Sequence, residues 1–430
     1  MKFQPPKGTR DFLPEEMVRR EYVIETIKRI FVAYGFDEIQ TPVFEKWELL
    51  TKKCGEDIKQ QIFEFEDKAG RKLGLRFDLT VGMARVIANN PQLPKPVKRY
   101  CIAPVWRYEE VTAGRKREFY QADIDIVGSK SMEAEAECIA CAVDCLKALG
   151  FEDFKIYINN RKILDGILKF VSISEKKNLE IFRIIDKLEK IGKENVEKEL
   201  EKIGIKKEKI KKLMEIISFK GKQEILERLE ELKKIKIAEE GIKELKEIYK
   251  FSKFYGFSNF LFVNLSLARG LDYYTGPIFE IVAKAKKQVG SIAGGGRYDN
   301  LIELLGGRPT PSTGISLGIE RIIEIMKTER MLDLPKTKVK VFVANVNEKM
   351  KEKAVEVAQK LRKERIPCQT DLMGRNLKKQ LEFADSLGVP FCIIVGEKEV
   401  KENKFKLKNM KEKTEESLSL EEIIKILKPK

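Results

Sequence analysis

Arg107-Tyr108-Glu109, followed by Gly114-Arg115-Lys116-Arg117-Glu118-Phe119-Tyr120-Gln121, decides the reading of this chain. A second stretch answers it: Arg269-Gly270-Leu271-Asp272-Tyr273-Tyr274, with Gly294-Gly295-Gly296-Arg297-Tyr298-Asp299 shortly after. Both read as β-strand segments studded with arginine, carboxylate and aromatic residues, where an ordinary core strand alternates apolar with bland polar residues. Arginines spread over strands suit a multiply charged anion such as a nucleoside triphosphate. The competing reading, solvated surface charge, fits poorly with so many charges set beside glycine and aromatic residues.

Working outward, 97–108 and 117–127 form a strand pair around a charged loop, 109–116. Upstream, Val18, Tyr22, Ile27, Ile30, Phe31 and Tyr34 lie at helical spacing, so 15–34 is a predicted amphipathic helix capped by Gly35. Residues 36–45 read as a strand, and Pro42 places it at an edge or interface because proline removes a ladder donor. Residues 61–66 and 72–77 read as a hairpin turning at Lys68-Ala69-Gly70, and 80–89 as a helix. Downstream come a helix over 133–149, a strand over 154–159 and a helix over 162–170. From about 172 to 250 the chain is dense in Lys and Glu with Ile and Leu at helical spacing, a helical insertion. Strands are expected again at 260–266, 273–282, 289–294 and 314–318, with helices over 298–305 and 319–327. Runs of antiparallel strands with scattered helices indicate an α+β domain.

Residues 331–338 read as a linker around Pro335. Beyond it the pattern becomes βαβαβ: strands at 339–344, 366–370 and 391–395, helices at 349–364 and 377–387. Ser419 with Glu422 starts a last helix as a capping box.

Composition narrows the chemistry. The chain has 430 residues and no histidine, which excludes Ser-His-Asp or Cys-His nucleophile systems, His-ligated zinc and His general-base catalysis. Lys plus Arg number 84 against 68 Asp plus Glu, a net charge of +16 that attracts polyanions, though both signs are abundant enough for a solubility surface. Seven cysteines, an odd number, do not suit a secreted disulfide framework. Cys138, Cys141 and Cys145 share one helix face; with no histidine to complete a metal set, they read as small buried hydrophobes. Heavy use of Lys, Glu and Ile hints at a thermophile. No apolar run of about 18 residues occurs and the N-terminus is unlike a signal peptide, so a cytoplasmic protein with no membrane association is expected. Neither a Walker-type loop nor a dinucleotide fingerprint appears, so a bound nucleotide would sit on an antiparallel sheet.

The two opening stretches, joined by Gly314-Ile315-Ser316-Leu317-Gly318-Ile319-Glu320-Arg321, closely resemble the histidyl-tRNA synthetase family, a branch of the class II aminoacyl-tRNA synthetases. The resemblance implies an α+β, antiparallel-sheet class II catalytic domain (1–170 and 256–330) interrupted by a helical insertion (171–255), plus a small C-terminal α/β anticodon-binding domain (338–430). It implies a histidine–tRNA ligase that uses ATP with accompanying Mg²⁺, a homodimer joined through the first helix and its Pro42-containing strand, and tRNA(His) as partner.

The same resemblance implies roles for single residues. Arg107 would bind the α-phosphate and the amino-acid carboxylate, and Arg269 would sit between those two groups; these two are the expected catalytic residues. Glu109 would receive the adenine amino group, Phe119 would stack on adenine, Arg115 would reach the terminal phosphates and Arg321 the γ-phosphate. Asp78, Thr80 and Gln121 would receive the α-amino group. Tyr274 and Asp125 would hydrogen-bond the imidazole, and Tyr273 counts with them as histidine-binding. Trp106, Tyr120, Asp125 and Gly82 depart from residues common in the family without removing a chemical role. Two other readings stand beside this one: a non-catalytic paralogue such as the regulatory subunit of ATP phosphoribosyltransferase, which lacks the C-terminal domain, and a synthetase for another amino acid, against which the stretch from Arg269 to Tyr274 argues.

Overall fold

The computed structural model describes residues 3–52, 56–112, 115–269, 272–285 and 290–428. The chain divides into two compact units, one of residues 1–10 and 23–331, the other of 11–22 and 332–430.

The larger unit is built on a nine-stranded sheet. In order across the sheet its strands are Asp37–Glu38, Val97–Trp106, Glu118–Val127, Ser312–Gly318, Ala293–Arg297, Pro277–Ala283, Phe154–Asn160, Leu261–Asn264 and Lys220–Gly221. The six central strands pair antiparallel; the Asp37–Glu38 and Leu261–Asn264 strands join parallel. The middle of the sheet is the ten-residue ladder in which Val97 faces Val127 and Trp106 faces Glu118. Helix Glu133–Ala148 packs on strand Ser312–Gly318. That helix is almost wholly apolar on its buried side, and Cys138, Cys141 and Cys145 lie there with no exposed surface. Burial drives the Cys138 and Cys141 thiols far above their ordinary range, so they remain protonated and unreactive.

The first helix runs Pro14–Ala33, and its Val23, Ile27 and Phe31 are fully buried. Phe31 meets the Tyr100 ring at 5.7 Å, which fixes the helix against the second sheet strand. The expected strand over 36–45 is two short pieces, Asp37–Glu38 and Phe44–Lys46 in a separate three-stranded sheet, with Pro42 between them. The hairpin expected at 61–77 is present as Glu64–Glu66 against Lys72–Leu75, and the helix over 80–89 falls on Thr80–Asn89.

Residues 175–217 are short helices, as expected of the insertion, and helix Lys236–Phe254 packs along Arg161–Phe170. The sequence gave no sign that Lys220–Gly221 would extend the main sheet by one edge strand. The strand expected over 273–282 begins at Pro277, and the one expected over 289–294 spans Ala293–Arg297, with Val289 outside the described residues. The helix expected over 298–305 is only Leu301–Leu304; Tyr298 instead turns its ring into the core, 2 % exposed.

The smaller unit holds a five-stranded sheet in the order Cys368–Thr370, Val341–Asn345, Phe391–Val395, Phe405–Asn409, Glu415–Leu418. The first three strands are parallel, which the βαβαβ pattern predicts, and the last two form an antiparallel hairpin that it did not. Helices Lys351–Lys363 and Leu420–Leu427 cover one face around Val343, Leu361 and Ile423; helix Leu377–Ser386 covers the other around Phe342 and Cys392. The Ser419–Glu422 capping box is complete.

Candidate active site

The hairpin of Val97–Trp106 and Glu118–Val127 sets the frame. Along the second strand Gln121, Asp123 and Asp125 stand at alternate positions and share one face, opposite Ala103, Cys101 and Arg99. Arg107 follows the first strand. Its Nε donates to the Phe77 carbonyl at 2.9 Å, and its guanidinium lies 5.2 Å from the Phe119 ring centroid. Across the loop, Arg115 and Glu109 approach to 3.5 Å; Gly114, between them in sequence, lies outside the described residues. Arg321 begins its helix two residues after strand Ser312–Gly318 ends and donates from Nη1 to the Ser291 carbonyl at 2.5 Å. Burial lowers its pKa, as do the like charges of Arg115 and Arg107, while Glu109 and Glu280 oppose the shift. Three arginines close enough to repel one another are a standing positive potential, favourable only to an anion.

Arg269 faces the same region from the other side of the sheet. Its backbone is left-handed, φ +55°, unusual for a non-glycine residue. Burial opposes its charge, but Tyr274 and Glu280 outweigh that and raise its pKa; Glu280 Oε1 is 3.5 Å from Nη1. The guanidinium lies across Gly294, where a Cβ would come within 2.4 Å of it. Glycine at 294 is therefore what lets Arg269 lie flat on the sheet. Gly270 and Leu271 fall outside the described residues. Tyr273 and Tyr274 are both buried with ring centroids 4.9 Å apart. Tyr273 hydrogen-bonds the Thr80 side chain, and Tyr274 that of Arg269.

Asp78 accepts the Val81 amide at 3.0 Å through Oδ1, capping the first turn of helix Thr80–Asn89, while its buried Oδ2 has no partner. Gln121 donates from Nε2 to the Ser316 hydroxyl at 2.6 Å and leaves Oε1 unpartnered. Asp125 ion-pairs with the fully buried Arg99 and accepts the Tyr298 hydroxyl. Burial raises the pKa of Asp78, Asp123 and Asp125, with Arg99 opposing the shift in each; Asp123 is pushed up to about 7. Its Oδ1 also has no partner. A buried acceptor without a donor costs roughly 1–3 kcal/mol. Three such acceptors on Asp78, Gln121 and Asp123 form a wall suited to a ligand rich in N–H groups.

The two ends of the site meet. Arg107 lies near both Asp78 and Arg321, and Glu280 lies near both Arg269 and Arg321. The structure thus brings the expected residues into one continuous region of the sheet. It adds Asp123, Ser316, Arg99, Tyr298 and Glu280, which the sequence reading did not single out. Only the polar alternation of 121, 123 and 125 signalled any of them. Arg297, within the second opening stretch, faces away: it pairs with Glu135 and donates to the Ser129 carbonyl.

An antiparallel sheet that presents arginines from three separated stretches, with a small α/β unit after it, defines a class II aminoacyl-tRNA synthetase. The family model described as histidyl-tRNA synthetase matches residues 8–322, and that of the anticodon-binding domain matches 340–430. Curated histidine–tRNA ligases from Pyrococcus furiosus (40 % identity, 98 % of each chain) and Aeropyrum pernix (40 %, 92 % of this chain and 91 % of that one) are similar over nearly the whole length. The crystal structure of a histidyl-tRNA synthetase from a Nostoc species superposes with a TM-score of 0.85 at 33 % identity, covering 99 % of each chain. The chain belongs to the histidyl-tRNA synthetase family, and its activity is that of a histidine–tRNA ligase.

Proposed function

We propose that this site activates histidine in two steps, with roles divided between the two ends just described. The histidine carboxylate attacks the α-phosphorus of ATP in line, forming histidyl-adenylate and releasing pyrophosphate. The terminal ribose hydroxyl of tRNA(His) then attacks the acyl carbon and expels AMP. Neither step needs an enzyme nucleophile, which suits a chain without histidine. Arg107 and Arg269 hold the carboxylate and the α-phosphate together and oppose the charge that grows on phosphorus. Arg115 and Arg321 take the terminal phosphates, Glu109 the adenine amino group and Phe119 the adenine face. Asp78, Thr80 and Gln121 receive the α-amino group, and Tyr273, Tyr274 and Asp125 enclose the imidazole.

Glu109 and Glu280, the carboxylates whose charges reach Arg321, are the oxygen donors placed to hold Mg²⁺. Bound with ATP, Mg²⁺ would neutralise charge on the terminal phosphates. The +16 charge serves tRNA, the C-terminal unit its anticodon, and the insertion lies as a helical module within the catalytic domain. Dimerisation through the first helix and the segment around Pro42 completes the reading. We place the protein in the cytoplasm; none of the described helices is long and apolar enough to cross a membrane.

The observation that carries these roles is the meeting of Arg107, Arg269 and Arg321 beside the unpartnered acceptors of Asp78 and Gln121. Amino-acid-dependent ATP–pyrophosphate exchange tests it. Histidine alone should support exchange, and Arg269→Ala should abolish it. Full exchange by the variant would remove Arg269 from its role. No exchange with any amino acid by a folded protein would favour the regulatory paralogue, against which the matched residues 340–430 already weigh.

A further inference from the structure

One carboxylate on the histidine side of the site has no assigned role. Gln121, Asp123 and Asp125 share a face, and the neighbouring strand sets Ser316 opposite Asp123. The family pattern places the imidazole of histidine at Asp125. Both oxygens of that carboxylate are already engaged, Oδ1 by the Tyr298 hydroxyl and Oδ2 by the Arg99 guanidinium. Asp123 is differently placed. The Ser316 hydroxyl bonds its carboxylate and also accepts Gln121 Nε2 at 2.6 Å. This short chain fixes both side chains and leaves Asp123 Oδ1 and Gln121 Oε1 buried without donors. Asp123 itself is 3 % exposed, so water in bulk does not reach it.

A neutral imidazole carries one ring N–H and one bare ring nitrogen, and so needs one acceptor and one donor. The charged and titratable groups around Asp123 are Arg99, Asp125 and Asp78, with Tyr273 alongside. Asp78 is taken up with the Val81 amide and lies at the α-amino end, and Asp125 is saturated by short contacts. We infer that Asp123 is the acceptor for the ring N–H of the substrate histidine and thereby a specificity-determining residue, while Asp125 is a positioning residue that fixes Arg99 and Tyr298 behind it. The inference rests on the reading of this face as the histidine site.

A site built around a buried acceptor rejects an analogue that lacks the donor, since the acceptor is then left unpaired. The probe is a histidine analogue with a thiazole ring in place of imidazole, which has no ring N–H. The measured quantity is the ratio of kcat/KM for histidine to that for the analogue in ATP–pyrophosphate exchange. The ratio does not depend on the fraction of active enzyme, so a partly folded variant still answers. Wild type should prefer histidine by at least about 100-fold. Asp123→Ala should lower the ratio at least about 30-fold, and Asp123→Asn, which keeps an amide oxygen as acceptor, should give an intermediate value. If Asp123 serves the α-amino group instead, both substrates suffer alike and the ratio stays at the wild-type value; that result, or an unchanged ratio in the Asn variant should the Ala variant not fold, overturns the inference while leaving the histidine-site reading intact. Wild-type protein that exchanges with neither compound overturns both.

Discussion

Arg297 and Glu135 form a buried bidentate ion pair, Nε to Oε1 at 2.7 Å and Nη2 to Oε2 at 2.8 Å, with side chains 4 % and 0 % exposed. It ties the end of strand Ala293–Arg297 to helix Glu133–Ala148, so the glycine strand under Arg269 is anchored from behind. Burial raises the Glu135 pKa against the pull of Arg297, a sign that the carboxylate depends on its partner to stay charged. Removing one partner of such a pair leaves the other buried and uncompensated, at a cost of about 3–5 kcal/mol. Glu135→Ala should therefore lower unfolding stability by that amount in a denaturant titration. A loss below about 1 kcal/mol, the size of an exposed pair, would show that the pair does not anchor the strand.

Adjacent glycines should respond in opposite ways. A Cβ at Gly294 meets the flexible end of Arg269 at 2.4 Å, whereas one at Gly295 meets the Gly314 backbone carbonyl at 2.0 Å. In Gly294→Ala a side chain can move aside, so the fold survives but Arg269 is displaced. Misplacing a catalytic group by about 1 Å costs on the order of 100-fold in rate. In Gly295→Ala the sheet itself must part. Exchange assays and melting curves on both variants check this: Gly294→Ala should keep its melting temperature and lose activity, and Gly295→Ala should lose both. Retained activity in Gly294→Ala would remove the link between that glycine and Arg269.

The contrast shows what the sequence could disclose. The ladder of 97–106 against 118–127 was legible because alternation is local, and helix Thr80–Asn89 because its apolar residues recur at helical spacing. The hairpin Phe405–Asn409 and Glu415–Leu418 was hidden because Lys406 and Lys408 share the first strand with Phe405 and Leu407 in a tail otherwise dense in charge. The strand Lys220–Gly221 exists only through its pairing with Leu261–Asn264, forty residues on in a different element, and no local pattern announces that. Arg107, Arg115, Arg269 and Arg321 could be singled out by residue type. That Tyr298 would reach Asp125, or that Ser316 would join Gln121 to Asp123, depends on strand register, which a single sequence does not display.

Asp123 also makes stability depend on pH. Its pKa is about 7 in the folded protein, raised chiefly by burial, against an ordinary value of 3.8. Below that ordinary value both folded and unfolded chains hold the proton, and the group's stabilising contribution is complete. Between there and about 7 the folded chain retains a proton that the unfolded chain releases, so the contribution is lost as pH rises through this window. Asp78 and Asp125, also raised by burial, act in the same direction. Asp123→Asn removes the ionisation, and denaturant titrations at two pH values report on it. The variant should gain stability relative to wild type at pH 8 compared with pH 5. A difference between variant and wild type that is the same at both pH values would show that Asp123 ionises as it does in water.

The insertion is linked to the loop that carries Arg269. Arg183, on helix Asn178–Asp186, holds Asp272 through a pair in which Nε donates to Oδ1 at 3.3 Å and Nη2 makes a shorter contact with Oδ2. Beside it, Arg161 donates to the Ala268 carbonyl at 3.0 Å and lies 4.3 Å from the ring of Phe182, the residue before Arg183. Both residues flanking the loop, 268 and 272, are thus held by contacts that reach the same insertion helix, and the left-handed backbone at Arg269 sits between them. Releasing one hold should let that conformation relax and move the guanidinium. Arg183→Ala should lower kcat/KM for histidine by roughly 10- to 100-fold, since a shift of about 1 Å at the reacting centre is worth that much. The ATP KM should move little, because Arg107, Arg115 and Arg321 stand on other elements. A double-mutant cycle with Asp272→Asn separates this from a general weakening: contacting residues couple by about 0.5–3 kcal/mol, and independent ones add. Additive losses would mean that the two residues act separately, and that the insertion does not set the position of Arg269 through this pair.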